Sequence, residues 1–124
     1  MADQGPEIVA LLGERVFDAA DQQRFAAESH DLNPIHVDPV AARRLISGRQ
    51  LVHGVHTLIQ ALDFWPGETG APPGELALHC SFVHPVNVGD VVRFVRLPDW
   101  RGQPRLAALV EGVAATEIVL DARP

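Results

Sequence analysis

The chain has no lysine and only one cysteine, Cys80, among its 124 residues. A lone cysteine excludes an intramolecular disulfide, so the fold must rest on a hydrophobic core, and a reducing compartment is the natural setting. No apolar run approaches the roughly 20 residues a helix needs to cross a bilayer. The N-terminal stretch MADQGPEIVALLGER has a short apolar segment with no basic residues ahead of it and does not read as a signal peptide. A cytoplasmic protein is expected, with no membrane partner. All ten cations are arginine against sixteen carboxylates, a formal charge of −6. That balance, with no interleaving of basic and aromatic residues, argues against nucleic acid as a partner. Neither H-E-x-x-H nor C-x-x-C occurs. The six histidines therefore read as ordinary polar or half-buried residues, and no metal is expected. His79 and Cys80, adjacent in a strand, would point to opposite faces.

What is present suffices for one domain over residues 1–124, since 47% of the residues are hydrophobic. A short strand is expected around Glu14 to Phe17. DAADQQRFAAES follows as a helix with Asp18 as N-cap. DPVAARRLISG begins with Asp38 and a proline at the first helical position, and Ser47-Gly48 stops it. A third helix starts near His53, where Val52, Val55, Leu58, Ile59 and Leu62 recur at spacings of three and four. Its other stripe holds His53, His56, Gln60 and Asp63, and Trp65-Pro66-Gly67 ends it. The Pro- and Gly-rich stretch from Trp65 to Glu75 separates this half from one of period two. ELALHCSFV and VVRFVRL read as strands, and PDWRGQP as a turn. RLAALV and VAATEIVL pair as a hairpin across Glu111-Gly112. One strand, helices and an antiparallel meander make an α+β domain, with the apolar third helix as the natural object for the sheet to wrap.

Between the first two helices lies ESHDLNPIHVDP. Pro34 fixes its own φ and pushes Asn33 out of the helical region, so the first helix must stop here. Asn33 is suited to bond nearby backbone and hold the turn. Asp31 and His36 need not diverge as they would on a regular helix, and they can face one point. A carboxylate and an imidazole converging on one water form a general acid–base pair. On residue chemistry alone, such a turn serves structure more often than catalysis.

The stretch from Phe25 to His56 resembles the signature of the MaoC-like dehydratases, which include the (R)-specific enoyl-CoA hydratases. Phe25, Ala26, Ser29, Asp31, Asn33, Pro34, Ile35, His36 and Asp38 match that pattern, as does His53-Gly54, and FVHPVNVGDVV is similar to the family's strand–turn–strand. The resemblance implies a hot-dog fold, an antiparallel sheet wrapped around one long helix. It implies Asp31 and His36 as the catalytic pair and a trans-2-enoyl thioester, on CoA or an acyl-carrier protein, as substrate, with no cofactor. Water would add at C3. The backbone N–H of Gly54, at the N-terminus of the central helix, would receive the charge developing on the thioester oxygen. Asn33 would support the turn and orient the water. A homodimer with sheets side by side is implied, with Arg43, Arg44 and Arg49 as candidates for the CoA phosphates; taken alone, that arginine run reads as a solvated helix face.

The chain departs from the family at His30, where glycine is usual, and in its short length, which points to short or medium acyl chains. A hot-dog thioesterase would share fold and thioester but carries its acid on or opposite the central helix, and Asp63 and Glu68 lie too near that helix's end. A non-catalytic acyl-thioester binding module would keep the pocket and Gly54 without needing both Asp31 and His36. Cys80 reads as a small buried hydrophobe, and Trp65 and Trp100 as packing or interface residues at turn edges.

Overall fold

The computed structural model describes residues 7–38, 40, 50–65 and 75–123. In chain order the elements are β1 (Ala10–Val16), α1 (Ala19–Ser29), α2 (Pro34–Val37), α3 (Gly54–Phe64), β2 (Glu75–Phe82), β3 (Val91–Trp100), β4 (Gln103–Val110) and β5 (Val113–Arg123). The five strands form one antiparallel sheet in the order β1-β3-β4-β5-β2. The last three strands make the meander; β1 and β2 are the edges. The sheet wraps α3, which touches β1, β3, β4 and β5. This is the α+β, hot-dog arrangement expected.

The core sits between α3 and the concave face. Phe94, Leu106, Ala108, Ile118 and Leu120 from the sheet meet Ala61 of α3, with Phe17, Val52 and Val86 closing the ends. Strand alternation sends Val95, Leu97, Ala107 and Leu109 to the other face as a second apolar cluster. Both hairpins of the meander turn on two residues of positive φ, Arg101-Gly102 and Glu111-Gly112, the conformation a two-residue turn needs to match strand twist. PDWRGQP is therefore mostly strand, and only Arg101-Gly102 turns. The first strand is also longer than expected, reaching back to Ala10.

Helix α3 begins where expected, with His53 as N-cap, but its buried face takes in part of the polar stripe. Leu58 and Leu62 still pack on the core, and Asp63 is exposed. Thr57, Gln60 and Ala61 are buried, whereas Val55 and Ile59 are half exposed. The polar stripe turns inward because partners there satisfy it. Thr57 Oγ1 donates to the Gly54 carbonyl at 2.6 Å and lies 2.9 Å from Thr116 Oγ1. Gln60 accepts from the Arg15 guanidinium, which also pairs with Asp21 at 3.0 Å. A buried polar group with its hydrogen bonds made costs little, so this face is tolerated inside.

Cys80 and Leu78 are half-buried against the core, while Phe82 is half exposed. Trp65 packs on the core; Trp100 lies at a turn edge under the Arg101 guanidinium. The helix expected from Asp38 and the stretch between Trp65 and Glu75 fall largely outside the described residues. Asp38 Oδ1 does accept from the Val40 N–H at 2.9 Å, as an N-cap would.

Helix α1 opens with a capping box. Asp18 Oδ1 accepts from the Asp21 N–H at 2.8 Å, and Asp21 Oδ2 accepts from the Asp18 N–H at 2.9 Å. Replacing Asp18 by alanine should lower stability by about 1 kcal/mol, read from the shift in the urea unfolding midpoint.

Candidate active site

Helix α1 ends at Ser29, and His30 closes it in the left-handed region at φ 63° and ψ 19°. The helix thus stops before the Asn33-Pro34 pair expected to break it. That pair instead starts the short helix α2: Asn33 is its N-cap, accepting the Ile35 N–H on Oδ1 at 3.1 Å, and Pro34 is its first residue. Asn33 spends its acceptor on the backbone, as a turn residue does.

The two bends bring Asp31 and His36 together, with His36 Nε2 3.8 Å from Asp31 Oδ2. The imidazole is 16% exposed and the carboxylate 51%. His36 Nδ1 lies 2.9 Å from the Leu51 carbonyl. A carbonyl only accepts, so Nδ1 carries the hydrogen, and in the neutral ring Nε2 presents a lone pair toward Asp31. A carboxylate and a lone pair do not bond each other, but a water placed against both could donate one hydrogen to each.

Behind the pair is His53, 2% exposed. Its ring stacks on His36 with centroids 4.0 Å apart and planes inclined by 24°. Its Nε2 is 3.1 Å from the Asp31 carbonyl, and its Nδ1 is 3.4 Å from Gln22 Nε2. Gln22, fully buried on α1, also donates to the Leu51 carbonyl at 2.7 Å and to the His36 carbonyl at 3.3 Å.

Next in the chain is Gly54, the first residue of α3. Its N–H has no acceptor within the helix, as at any helix start, and sits at the positive end of the dipole. A Cβ here would meet the Phe82 ring at 2.9 Å, so the close approach requires glycine. Gly54 also opens on a cavity of about 400 Å³ lined by Val55, Thr57, Phe82, Val86 and Thr116 among others. Asp31 and His36 do not line that cavity. They pack against His53, the residue before Gly54.

A MaoC-like domain model matches residues 9–97. The chain belongs to the MaoC-like family. It is 40% identical over 88 residues to the (R)-specific enoyl-CoA hydratase of Aeromonas caviae, covering 67% of this chain and 62% of that one. It is 37% identical over 81 residues to the mitochondrial 3-hydroxyacyl-[acyl-carrier-protein] dehydratase of Arabidopsis thaliana, covering 63% of this chain and 46% of the relative. This MaoC-like chain thus spans about half to three fifths of the curated relatives it matches. The solved structure of an (R)-hydratase from A. caviae involved in PHA biosynthesis superposes with a TM-score of 0.64 at 26% identity, covering 100% of this chain and 99% of that one.

Two members of this MaoC-like site were not singled out in the sequence. Gln22 falls inside the expected first helix, where nothing in the sequence gives it a role. His53 was noted only as half of His-Gly and on the polar stripe of α3. The signal for both was their place: a polar residue on the side of α1 that also carries buried Ala26, and a histidine at the start of an inward-facing stripe. Arg43, Arg44 and Arg49 lie outside the described residues.

Asp31, His36 and His53 offer ligand atoms within 4.8 Å of one another. They make a poor metal site. An imidazole lone pair lies in its ring plane, and two stacked rings share no convenient point in both planes. His53 Nε2 is moreover turned to the Asp31 carbonyl.

The left-handed conformation at His30 should cost about 1–2 kcal/mol for a residue with a Cβ, less what glycine loses in freedom. His30→Gly is therefore expected to stabilise the chain by about 0.5–1 kcal/mol in equilibrium denaturation.

One turn along α3, His56 lies between Phe25, stacked at 4.3 Å, and the edge of Phe17 at 4.8 Å. Burial, then the nearby Arg15 cation, pushes its pKa from 6.5 down to about 4. The unfolded chain therefore takes up this proton first. The contribution is complete above pH 6.5 and is lost as pH falls toward 4. Between about pH 7.5 and pH 5 the wild type should lose roughly 2 kcal/mol more than His56→Phe, measured as urea midpoints of both proteins at the two pH values.

Proposed function

We propose that the chain hydrates trans-2-enoyl thioesters to (R)-3-hydroxyacyl thioesters, and catalyses the reverse dehydration. The observation that carries the reading is the Asp31–His36 pair, two acceptors 3.8 Å apart whose geometry suits one bridging water. With a hydrogen donated to each, the water's free lone pair points away from both, toward a substrate carbon. Attack at C3 forms the C–O bond as one group takes a proton from the water, and the pair delivers a proton to C2. Charge that gathers on the thioester oxygen is met by the Gly54 N–H at the start of α3. Addition of water needs no redox partner, and the pair supplies the proton transfers without a cofactor. The names of the A. caviae and A. thaliana relatives support the same reaction class.

The site is half open in one chain, and a second copy is the proposed cover. Val55, Ile59, Phe82 and Val83 are each about half exposed, and all but Ile59 line the cavity at Gly54. β2 ends the sheet and, among the described residues, pairs only with β5. Two β2 edges side by side would extend the sheet and bury that apolar rim. Short to medium acyl chains on CoA or an acyl-carrier protein are the proposed substrates, with Arg43, Arg44 and Arg49 as partners of the CoA phosphates. Among the described residues no helix is long and apolar enough to cross a membrane. A cytoplasmic setting is part of the proposal, since a lone, half-buried cysteine suits a reducing compartment.

Crotonyl-CoA is the direct test. Loss of the conjugated enoyl absorbance should require both groups, with Asp31→Asn and His36→Ala each falling by about 10²–10⁴-fold. Gly54→Ala, which forces Phe82 away, should fall by at least about 10²-fold. Activity that survives both Asp31→Asn and His36→Ala rejects the site. Thiol release from saturated acyl-CoA without hydration would make the chain a thioesterase, and binding without turnover a carrier module. Unchanged apparent affinity for CoA esters in Arg43→Glu and Arg44→Glu would remove the arginines from the account.

A further inference from the structure

We infer that His53 is a positioning residue for the Asp31–His36 pair, held as a neutral imidazole between the Gln22 amide and the Asp31 carbonyl. The inference rests on the hydration reading for its kinetic consequence, not for its structural content.

The argument starts from hydrogen-bond bookkeeping in a buried place. The Asp31 carbonyl only accepts, so His53 Nε2, 3.1 Å away, must carry the hydrogen. Gln22 Nε2 only donates, so His53 Nδ1, 3.4 Å away, must carry the lone pair. The amide itself has no freedom to turn over. Its Nε2 lies 2.7 Å from the Leu51 carbonyl, and the opposite orientation would set two oxygens against each other there. Gln22 Oε1, on the other side, is buried without a partner among the described residues. That orphan is the cost of the arrangement, and it shows that the donor end is the one being used.

The same Leu51 carbonyl takes the Nδ1 hydrogen of His36 at 2.9 Å. One carbonyl and one amide thus fix the tautomers of two stacked rings in opposite senses: Nδ1–H on His36 and Nε2–H on His53. The stack does the rest. With His53 lying 4.0 Å from His36 and Phe25 against its own flank at 4.8 Å, the base ring cannot tip toward the core. Its Nε2 stays aimed at Asp31, and the backbone of Asp31 is tied to the same His53. Both halves of the pair are thereby referenced to one side chain.

A proton on His53 would undo this, because the new Nδ1–H would face an amide N–H. The titratable groups facing the ring are Asp31, His36 and, one turn along α3, His56. Burial holds the His53 pKa below 6.5, against the opposing hydrogen bond to the Asp31 carbonyl, and any charge on His36 would push the same way as burial. The ring touches neither the proposed water position nor the cavity at Gly54, so its part is to hold, not to transfer.

The test joins spectroscopy and kinetics. In ¹⁵N-labelled wild type at neutral pH, imidazole spectra assigned with His36→Ala and His53→Phe should show Nε2–H for His53 and Nδ1–H for His36. Gln22→Met should loosen the Nε2–H preference of His53 and leave His36, still held by the Leu51 carbonyl, as Nδ1–H. On crotonyl-CoA, His53→Phe keeps a flat ring but loses both hydrogen bonds. It should lower kcat by about 10–100-fold with KM within about twofold, and His53→Gln, which restores a donor to the Asp31 carbonyl, should recover most of the loss. A charged or Nδ1–H His53 in the wild type overturns the inference, as does a folded His53→Phe with unchanged kcat. A wild type inactive on enoyl thioesters defeats the hydration reading alone, and the spectra then decide this one without it.

Discussion

The short extended segment from Gln50 to His53 is the joint on which the site depends. Its backbone is claimed from two sides. Toward α2 the Leu51 N–H donates to the Ile35 carbonyl at 2.9 Å. Toward the turn before β3 the Val52 N–H donates to the Val86 carbonyl at 2.8 Å, and the Gln50 carbonyl accepts from Val88 at 2.9 Å. Leu51 and Asn87 complete this as an isolated bridge. The segment therefore stitches the motif loop to the sheet, and the Leu51 carbonyl left over between them receives both Gln22 and His36. Without that stitch, Asp31 and His36 would sit on a loop whose distance from Gly54 nothing controls.

The inward turn of the polar stripe on α3 follows from the same economy. A helix wrapped by a sheet meets side chains on most of its circumference, and the face with the more numerous partners goes in. Thr57 finds Thr116, Gln60 finds Arg15, and His53 finds Gln22 and the Asp31 carbonyl. Asp21 takes part by holding Arg15 in place. Its burial acts to raise its pKa, but the Asp18 N–H and the Arg15 and Arg24 guanidiniums outweigh it and leave the carboxylate low. What remains outside includes Val55 and Ile59, apolar side chains that the core does not cover. An exposed apolar patch beside a cavity is the usual mark of a surface meant to be covered.

His30 shows how local strain serves this layout. Ending α1 in the left-handed region reverses the chain within one residue, so that Asp31 returns toward α3 instead of continuing along the axis of α1. Ser29 assists by accepting the Asp31 N–H at 3.3 Å while its hydroxyl donates back to the Phe25 carbonyl at 2.7 Å. The Asp31 side chain in turn accepts the Asn33 N–H at 3.3 Å. Each bond is weak and exposed. Together they leave the loop one path.

Much of this was written in local residue choice. Asp18 announces the start of α1, Glu111-Gly112 the last hairpin, and period two the sheet; these depend on neighbours in the chain and are legible from it. The acid, the imidazole and the glycine were legible as a family pattern on Phe25 to His56. The sequence also marked His30 as a departure from the family's usual glycine. It could not reveal which face of α3 would be buried. Its apolar stripe is the more regular one, and only Thr116, Arg15 and Gln22, at 59, 45 and 31 residues' separation, make the polar face acceptable inside. Nor could it show that Gln22 and His53 belong to the site, since each gains its meaning from groups that reach it only after folding. Local rules determined the elements and the chemistry on offer; long-range hydrogen-bond satisfaction decided which groups meet.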